Sequence, residues 1–189
     1  SQGWQPVVYT PLNPEITSID ETLVADIPAE AEIIKRKIVE PYSAYRRIMG
    51  SRQSTDMKTL MAGSANEGRA KATGGEVNPI NTDGKQSLKQ KLSLFIRGNF
   101  FVPDPRVWWV RSSVKFLKKY LKEHPVDVIV TTGPPHSMHL IGRKLSKETG
   151  LPWIHDFRDP WTKIFYYKHL KLTRLADRKH RRLEQAVLD

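Results

Sequence analysis

Two short segments hold most of the residue types that could do chemistry. Residues 131–137 read TTGPPHS and residues 155–161 read HDFRDPW, so hydroxyls, imidazoles, carboxylates and a guanidinium lie in two short stretches. In the first stretch, Gly133 allows a ligand to approach the backbone closely. A helix that begins near His136 or Ser137 would offer free amide N–H groups to an anion. The pattern predicts a polar ligand site.

Each of these side chains also has a structural interpretation. Ser137 could serve only as a helix cap, and Arg158 could pair with a neighbouring aspartate across the turn. Asp159 before Pro160 has the pattern of a helix start, with the aspartate as cap and the proline at the first helical position. Asp156 either accepts local backbone hydrogen bonds or orients a substrate hydroxyl, and the sequence leaves both alternatives open.

The histidines have different expected environments. His136, at a helix start beyond a strand, is expected to stay accessible and is favoured for function. His139 and His169 are expected to be packed or solvated, whereas His124 and His180 are expected at the surface.

The sequence lacks the residues needed for several other kinds of site. The chain has no cysteine, no Gly-x-x-x-x-Gly-Lys loop, no Gly-x-Gly-x-x-Gly after a strand, and no cluster with the spacing of a zinc site. We expect neither a metal ion nor a cofactor. A small hydrolase would need a nucleophile with a partner base, and the sequence offers no such pair.

Hydrophobic periodicity indicates the elements that position the two segments. Apolar residues recur helically from Val110 to Leu121, so a helix is expected up to the proline that follows. The apolar run at residues 126–132 predicts a strand covered on both faces, and a second helix is expected between it and a left-handed Gly150. Residues 153–157 predict another strand. This βαβ unit implies parallel strands, and ligands of such sheets bind beyond their carboxyl ends.

Weaker patterns complete the chain. Residues 7–10 (VVYT) and the apolar residues between 33 and 39 predict two more strands, and short helices are expected near residues 21–25 and 89–96. A later helix is expected to pack four residues inward: Leu172, Leu175, Leu183 and Val187.

The expected fold is an open parallel α/β sheet with helices on both faces, in one domain spanning residues 1–189. Residues 50–87 hold six of the eleven glycines and no Trp, Tyr or Phe, which predicts a mobile insertion. With about four strands and no Gly-rich first turn, the chain is expected to be a fragment that lacks a first strand.

Charge is unevenly distributed. The net charge of +11 comes from 31 Lys and Arg against 20 Asp and Glu. Residues 1–34 contain six acids and no base, whereas residues 95–189 contain 19 bases and nine acids. A basic surface of this kind can meet nucleic acid, an anionic membrane or a phosphorylated ligand, and charge alone does not choose among them.

Three stretches, WQPVVYTPLNP, VDVIVTTGPPHSMHLIG and PWIHDFRDPW, together resemble the N-terminal domain of bacterial family-4-like glycosyltransferases with the GT-B fold. FVPDPRVWWV at residues 101–110 also resembles the family's stretch ahead of its basic helix. The resemblance covers about residues 3–48 and 88–189. His155 departs from the family pattern, in which the residue before DFRDPW is more often small.

The resemblance implies a Rossmann-like acceptor domain that faces a second, donor-binding domain. It implies retaining transfer of a sugar from a nucleotide-sugar donor to a saccharide or lipid-linked acceptor, in assembly of a cell-surface polysaccharide or glycolipid. The donor's diphosphate would help deprotonate the incoming hydroxyl, and this chain alone would be inactive. Residues expected in catalysis are Asp156, Arg158 and Asp159. Residues expected in substrate binding are Thr132, Gly133, Pro134, His136, Ser137 and His155.

Location and partners follow from composition. No signal sequence precedes the first strand, so the cytoplasm is the expected compartment. Aromatic residues at 161–167 ahead of seven cations at 168–182 suit the inner face of an anionic membrane; alternatively, the aromatics are core and the helix is a solvated basic face. No nucleic acid is expected as a partner, although a basic nucleic-acid-binding module is the alternative function.

Overall fold

The computed structural model describes residues 3–12, 22, 26–38, 95–96, 98–165 and 167–189. The chain divides into two compact units, Ser1–Val39 and Glu40–Asp189, and each is described by itself. The insertion expected at residues 50–87 lies outside the described residues, as do most of the short helices expected at residues 21–25 and 89–96.

The first unit contains a parallel pair of strands. β1 (Val7–Pro11) pairs with β2 (Glu32–Arg36), in a register that matches Val8 to Ile33 and Tyr9 to Ile34. β-branched residues dominate this pairing, as expected for strands. Both predicted strands are confirmed, although the second ends at residue 36 and not at 39.

In the second unit, the long basic helix is confirmed as α1 (Val107–Glu123). Its apolar stripe is buried, and the lysines between these positions lie on the other side, which is the arrangement of an amphipathic surface helix. The buried residues are Trp109, Val110, Ser113, Val114 and Leu117.

The predicted βαβ unit is also confirmed. β3 (Ile129–Gly133) and β4 (Trp153–Phe157) are parallel and paired, with α2 (Ser137–Thr149) between them in sequence. Gly150 ends α2 in the left-handed conformation, with φ of 78°. β3 begins three residues later than the predicted start at 126.

Helix α2 covers one face of the β3–β4 pair. Gly142 lies against the sheet so closely that a Cβ there would meet the Trp153 indole and the Thr131 methyl group. On the opposite face, Val130 is 61% exposed and Ile154 is 57% exposed. The prediction of a strand covered on both faces is therefore wrong within the described residues, because successive strand residues point to opposite faces and α2 covers only one of them.

The last helix departs from its prediction at the N-terminal end. The segment after Asp159 and Pro160 forms bends and turns, so these residues do not begin a helix. A short 3₁₀ helix (Tyr167–Leu170) precedes α3 (Arg174–Leu188), whose cap is Thr173.

The inward face of α3 also differs from the prediction. Leu175 is 78% exposed, so its expected inward packing is wrong. The buried residues Ala176, His180 and Val187 follow one another at spacings of four and seven, which defines a helical face that excludes Leu175. The expectation that His180 lies at the surface is wrong for the same reason.

The described chain is thus mixed α/β, built from two parallel strand pairs and helices. None of its described helices has the length and apolar character needed to cross a bilayer.

Candidate functional site

The two segments singled out in the sequence meet at the carboxyl ends of β3 and β4. The strand register places Thr132 opposite Asp156 and Gly133 opposite Phe157. The Thr132 hydroxyl donates a hydrogen bond to Asp156 Oδ2 at 2.8 Å, and both residues are exposed. A hydroxyl and a carboxylate therefore stand together on the open face of the strand pair.

Arg158 ties the second segment to the first. Its backbone N–H donates to the Gly133 carbonyl at 3.0 Å, and its guanidinium donates to the Pro134 carbonyl at 3.3 Å. Within the described residues, the guanidinium pairs with neither Asp156 nor Asp159, so the expected salt bridge across the turn does not form. The exposed Arg158 leaves further N–H groups directed to solvent beside the loop.

The histidines lie on the covered side. His139 is fully buried, its ring stacks on Phe157 at 4.4 Å between centroids, and its Nδ1 lies 3.0 Å from the Thr131 hydroxyl. The Nε2 atom of His139 faces Gly133, where a Cβ would lie 2.5 Å away. The absence of a side chain at Gly133 therefore makes room for the buried imidazole. This packing role accounts for the glycine without a ligand that approaches the backbone.

His136 is half-buried, which differs from its expected accessibility. Its ring stacks on Trp161 at 4.7 Å with an interplanar angle of 2°, and its Nδ1 is buried without a hydrogen-bond partner among the described residues. His155 also faces the covered side, where its ring contacts Trp153 and Phe157 edge-on or tilted. Both imidazoles thus belong to an aromatic cluster beneath the loop.

Burial keeps His136 and His139 uncharged at neutral pH. It lowers the pKa of His136 to about 4, and the carboxylates of Glu184 and Asp159 oppose the shift only in part. Burial also lowers the pKa of His139 to about 4, and the neighbouring His136 and His155 lower it further. At neutral pH both rings are therefore neutral and suited to packing.

The backbone N–H groups at the N-terminus of α2 already have hydrogen-bond acceptors within the chain. Asp104 Oδ2 accepts the Ser137 N–H at 2.7 Å, and the N–H groups of Met138 and His139 bond to the carbonyls of Pro135 and His136. The expectation of free amides for an anion is wrong at these positions, because a carboxylate of the chain itself fills the place. Ser137 is the first helical residue and not the cap.

Asp104 is further fixed by its own turn. Its Oδ1 accepts the Arg106 N–H at 2.9 Å. Burial raises the pKa of Asp104, while the N–H donors of Ser137 and Arg106 favour the ionised form. Sequence reasoning missed this residue; its signal was the aspartate between two prolines in VPDPR, a turn pattern.

The loop after β4 is anchored by α3. The Thr162 N–H and hydroxyl both donate to the carboxylate of Glu184, and Trp161 Nε1–H donates to His180 Nδ1 at 3.1 Å. Since the indole only donates, a neutral His180 carries its proton on Nε2. Asp159 is partly exposed on this loop and has an electrostatic interaction with His136.

Two of the aromatic residues expected at a membrane face inward. Trp161 is buried, and the Tyr167 hydroxyl donates to Asp177 Oδ1 at 3.0 Å. Phe165 is exposed, and Tyr166 lies outside the described residues. Trp161 thus belongs to the core, in agreement with the alternative given for this segment.

The open face carries exposed polar groups at the strand ends, and the described residues there do not form an assembled reaction centre. Thr132, Asp156 and Arg158 supply a hydroxyl, a carboxylate and a guanidinium at one edge, a set that suits the hydroxyl groups of a substrate. In the described part of the chain, no three His, Asp or Glu side chains are grouped to hold a metal ion.

Comparison with known proteins adds no relative to this description. No family model, curated protein or solved structure matches the chain.

Proposed function

We propose that this chain is the acceptor-side domain of a retaining glycosyltransferase with a Rossmann-like, GT-B arrangement. It would position a saccharide or lipid-linked acceptor for transfer of a sugar from a nucleotide-sugar, in cytoplasmic assembly of a cell-surface polysaccharide or glycolipid. The support is the resemblance of its motifs together with the geometry of the strand ends.

One observation carries the proposal. Two segments within the resembling stretches, TTGPPHS and HDFRDPW, lie 24 residues apart and are joined by the Thr132–Asp156 and Arg158–Pro134 hydrogen bonds. They meet at the carboxyl edge of a parallel strand pair, which is where open α/β sheets bind ligands. Their most polar side chains are exposed there.

In this proposal, the residues divide between contact and support. Asp156 accepts a hydrogen bond from an acceptor hydroxyl, Thr132 orients the carboxylate, and Arg158 holds the Gly133–Pro134 loop while donating to acceptor oxygens. His136, Ser137 and His155 serve from beneath by packing. Positioning of this kind can supply a large part of the rate enhancement when two substrates must meet.

The first test is acceptor binding by the 189-residue chain. Titration with a panel of neutral oligosaccharides, followed by amide and side-chain NMR shifts, is expected to perturb Thr132, Asp156 and Arg158. Asp156→Asn is expected to weaken binding by about 10-fold or more, because a hydrogen bond to a charged group contributes about 1.5–3 kcal/mol.

Asp127→Asn is the matched control, since it removes an exposed carboxylate elsewhere on the chain. Equal affinity for wild type and Asp156→Asn, or shifts confined to other residues, would remove the acceptor site from this edge. We also expect no turnover of nucleotide-sugar by this chain alone, measured with radiolabelled donor.

A further inference from the structure

A cationic groove lies between α1 and α2. It has a volume of about 670 Å³ and is lined by six cationic side chains against one acid, Glu148. The cations are Arg111, Lys115, Lys118, Lys119, Lys122 and Lys144. Lys118 pairs with Glu148 at 2.6 Å, which leaves five positive charges uncompensated among the lining residues.

The cations of α1 form a stripe with an aromatic residue at its end. Arg111, Lys115 and Lys122 follow Trp108 at three, seven and fourteen residues, so all four share one face of the helix. The stripe from Arg111 to Lys122 is about 16 Å long at 1.5 Å per residue. Trp108 is 60% exposed.

The opposite face of α1 is buried in the second unit, so the stripe faces outward from a fixed helix. An outward row of lysines that ends in an exposed indole suits contact with an anionic lipid surface. Tryptophan is favoured at the depth of lipid headgroups, and lysines attract anionic headgroups.

We propose that the α1–α2 cationic groove, with Trp108 at its end, is the surface by which this chain docks onto an anionic lipid bilayer. The inference does not depend on sugar transfer. It also moves the membrane-facing side away from the α3 segment, where Trp161 and Tyr167 turn inward and Asp177 pairs with Arg181 at 3.0 Å.

A nucleic acid is the less favoured occupant. Strands bound without sequence preference use aromatic rings spaced among the cations for base stacking, and none of the described residues that line this groove has an aromatic ring. Five of the six cations are lysines, which bind phosphate as point charges and lack the fork of arginine.

The principal test is co-sedimentation of the 189-residue chain with vesicles of phosphatidylcholine alone or mixed with phosphatidylglycerol. Binding is expected to the anionic vesicles and to weaken as salt is raised. The variant Lys115→Gln/Lys119→Gln/Lys122→Gln is expected to bind about 100-fold more weakly, since each cation near an anionic surface is worth about fivefold in affinity.

The matched control is Arg178→Gln/Lys179→Gln/Arg182→Gln, which removes three exposed cations from α3. It is expected to lose less than about fivefold. Circular dichroism melts check that both variants fold. An equal loss in the two variants, or a larger loss in the α3 variant, would overturn the proposal.

Quenching of tryptophan fluorescence by brominated lipids locates the contact. Quenching is expected to fall in Trp108→Phe and to persist in Trp4→Phe, the other exposed tryptophan. Absence of vesicle binding, or tight salt-sensitive binding of RNA at the same lysines without vesicle binding, would also overturn the proposal. Failure of the saccharide titration would leave it standing, because vesicle binding needs no acceptor.

Discussion

The two faces of the β3–β4 pair differ in burial, since one packs under α2 and the other is exposed to solvent. On the face under α2, Thr131 and His155 are directed into the core, where Thr131 bonds to both His139 and Trp153. On the other face, Thr132 and Asp156 bond to each other in solvent. A shift of one residue in sequence thus separates a packing group from an accessible one.

The comparison changes how the motif HDF is interpreted. His155 and Asp156 are neighbours in sequence, yet one lies among aromatic rings and the other is exposed. His155 is here part of an aromatic cluster, although histidine is a common catalytic group, whereas the Asp156 carboxylate stays exposed to solvent. The four predictions below test this division, beginning with the largest effect on stability.

Trp161 extends the covered side beyond the strand. Trp161→Ala is expected to lower the free energy of unfolding by about 3–5 kcal/mol, because it removes a buried ring, the stack on His136 and the hydrogen bond to His180. Urea unfolding measures the change. Phe165→Ala is the control, since this ring is exposed, and it is expected to stay within about 0.5 kcal/mol. A loss of no more than about 0.5 kcal/mol in Trp161→Ala would place Trp161 outside the core.

Two isoleucines allow the same substitution on the two sides. Ile141 of α2 is 3% exposed and Ile154 of β4 lies on the open face. Ile141→Ala is expected to cost about 2–5 kcal/mol because it leaves a cavity, and Ile154→Ala less than about 1 kcal/mol. Thermal melts of both variants are sufficient. A large cost at Ile154 would mean that the open face is covered in solution.

Much of this division was accessible from the sequence. Helical spacing predicted α1 and α2, the apolar runs predicted β3 and β4, and their order predicted parallel pairing. The alternation of side chains along a strand also assigns His155 and Asp156 to opposite faces. That signal was available, but the sequence analysis assigned both residues to one ligand site.

The rest depends on contacts between distant residues. Asp104 reaches Ser137 across 33 residues, and Glu184 reaches Thr162 across 22. Local sequence patterns indicate that the N–H groups of a helix start or a loop need hydrogen-bond acceptors. They do not indicate which distant carboxylate accepts these hydrogen bonds. Prediction of a free anion site at α2 failed for this reason, since a partner within the chain competes with any ligand.

Acid is expected to destabilise the covered side. His136 and His139 have pKa values of about 4 in the folded chain, against 6.5 for an unperturbed histidine. Between pH 6.5 and 4 the unfolded state binds more protons than the folded state, so stability falls as the pH is lowered through this range and is full above it. Urea midpoints measured at several pH values give the slope.

One variant sharpens the assignment of that slope. His136→Phe preserves the stack on Trp161 and is expected to reduce the dependence of stability on pH relative to wild type. An identical slope in wild type and His136→Phe would contradict this assignment. It would show that His136 binds as many protons in the folded state as in the unfolded state.

The smallest effect on stability is expected on the open face. Thr132→Val removes the hydroxyl that donates to Asp156, but the pair is exposed and water can replace the bond, so the free energy of unfolding should change by no more than about 0.5 kcal/mol. Thr132→Ser keeps the hydroxyl and serves as control. If Asp156 binds an acceptor hydroxyl in an orientation set by Thr132, saccharide affinity falls in Thr132→Val and is retained in Thr132→Ser. A loss of stability as large as that of Ile141→Ala would instead make Thr132 a structural residue. The two faces would then differ in exposure, but both would serve to stabilise the fold.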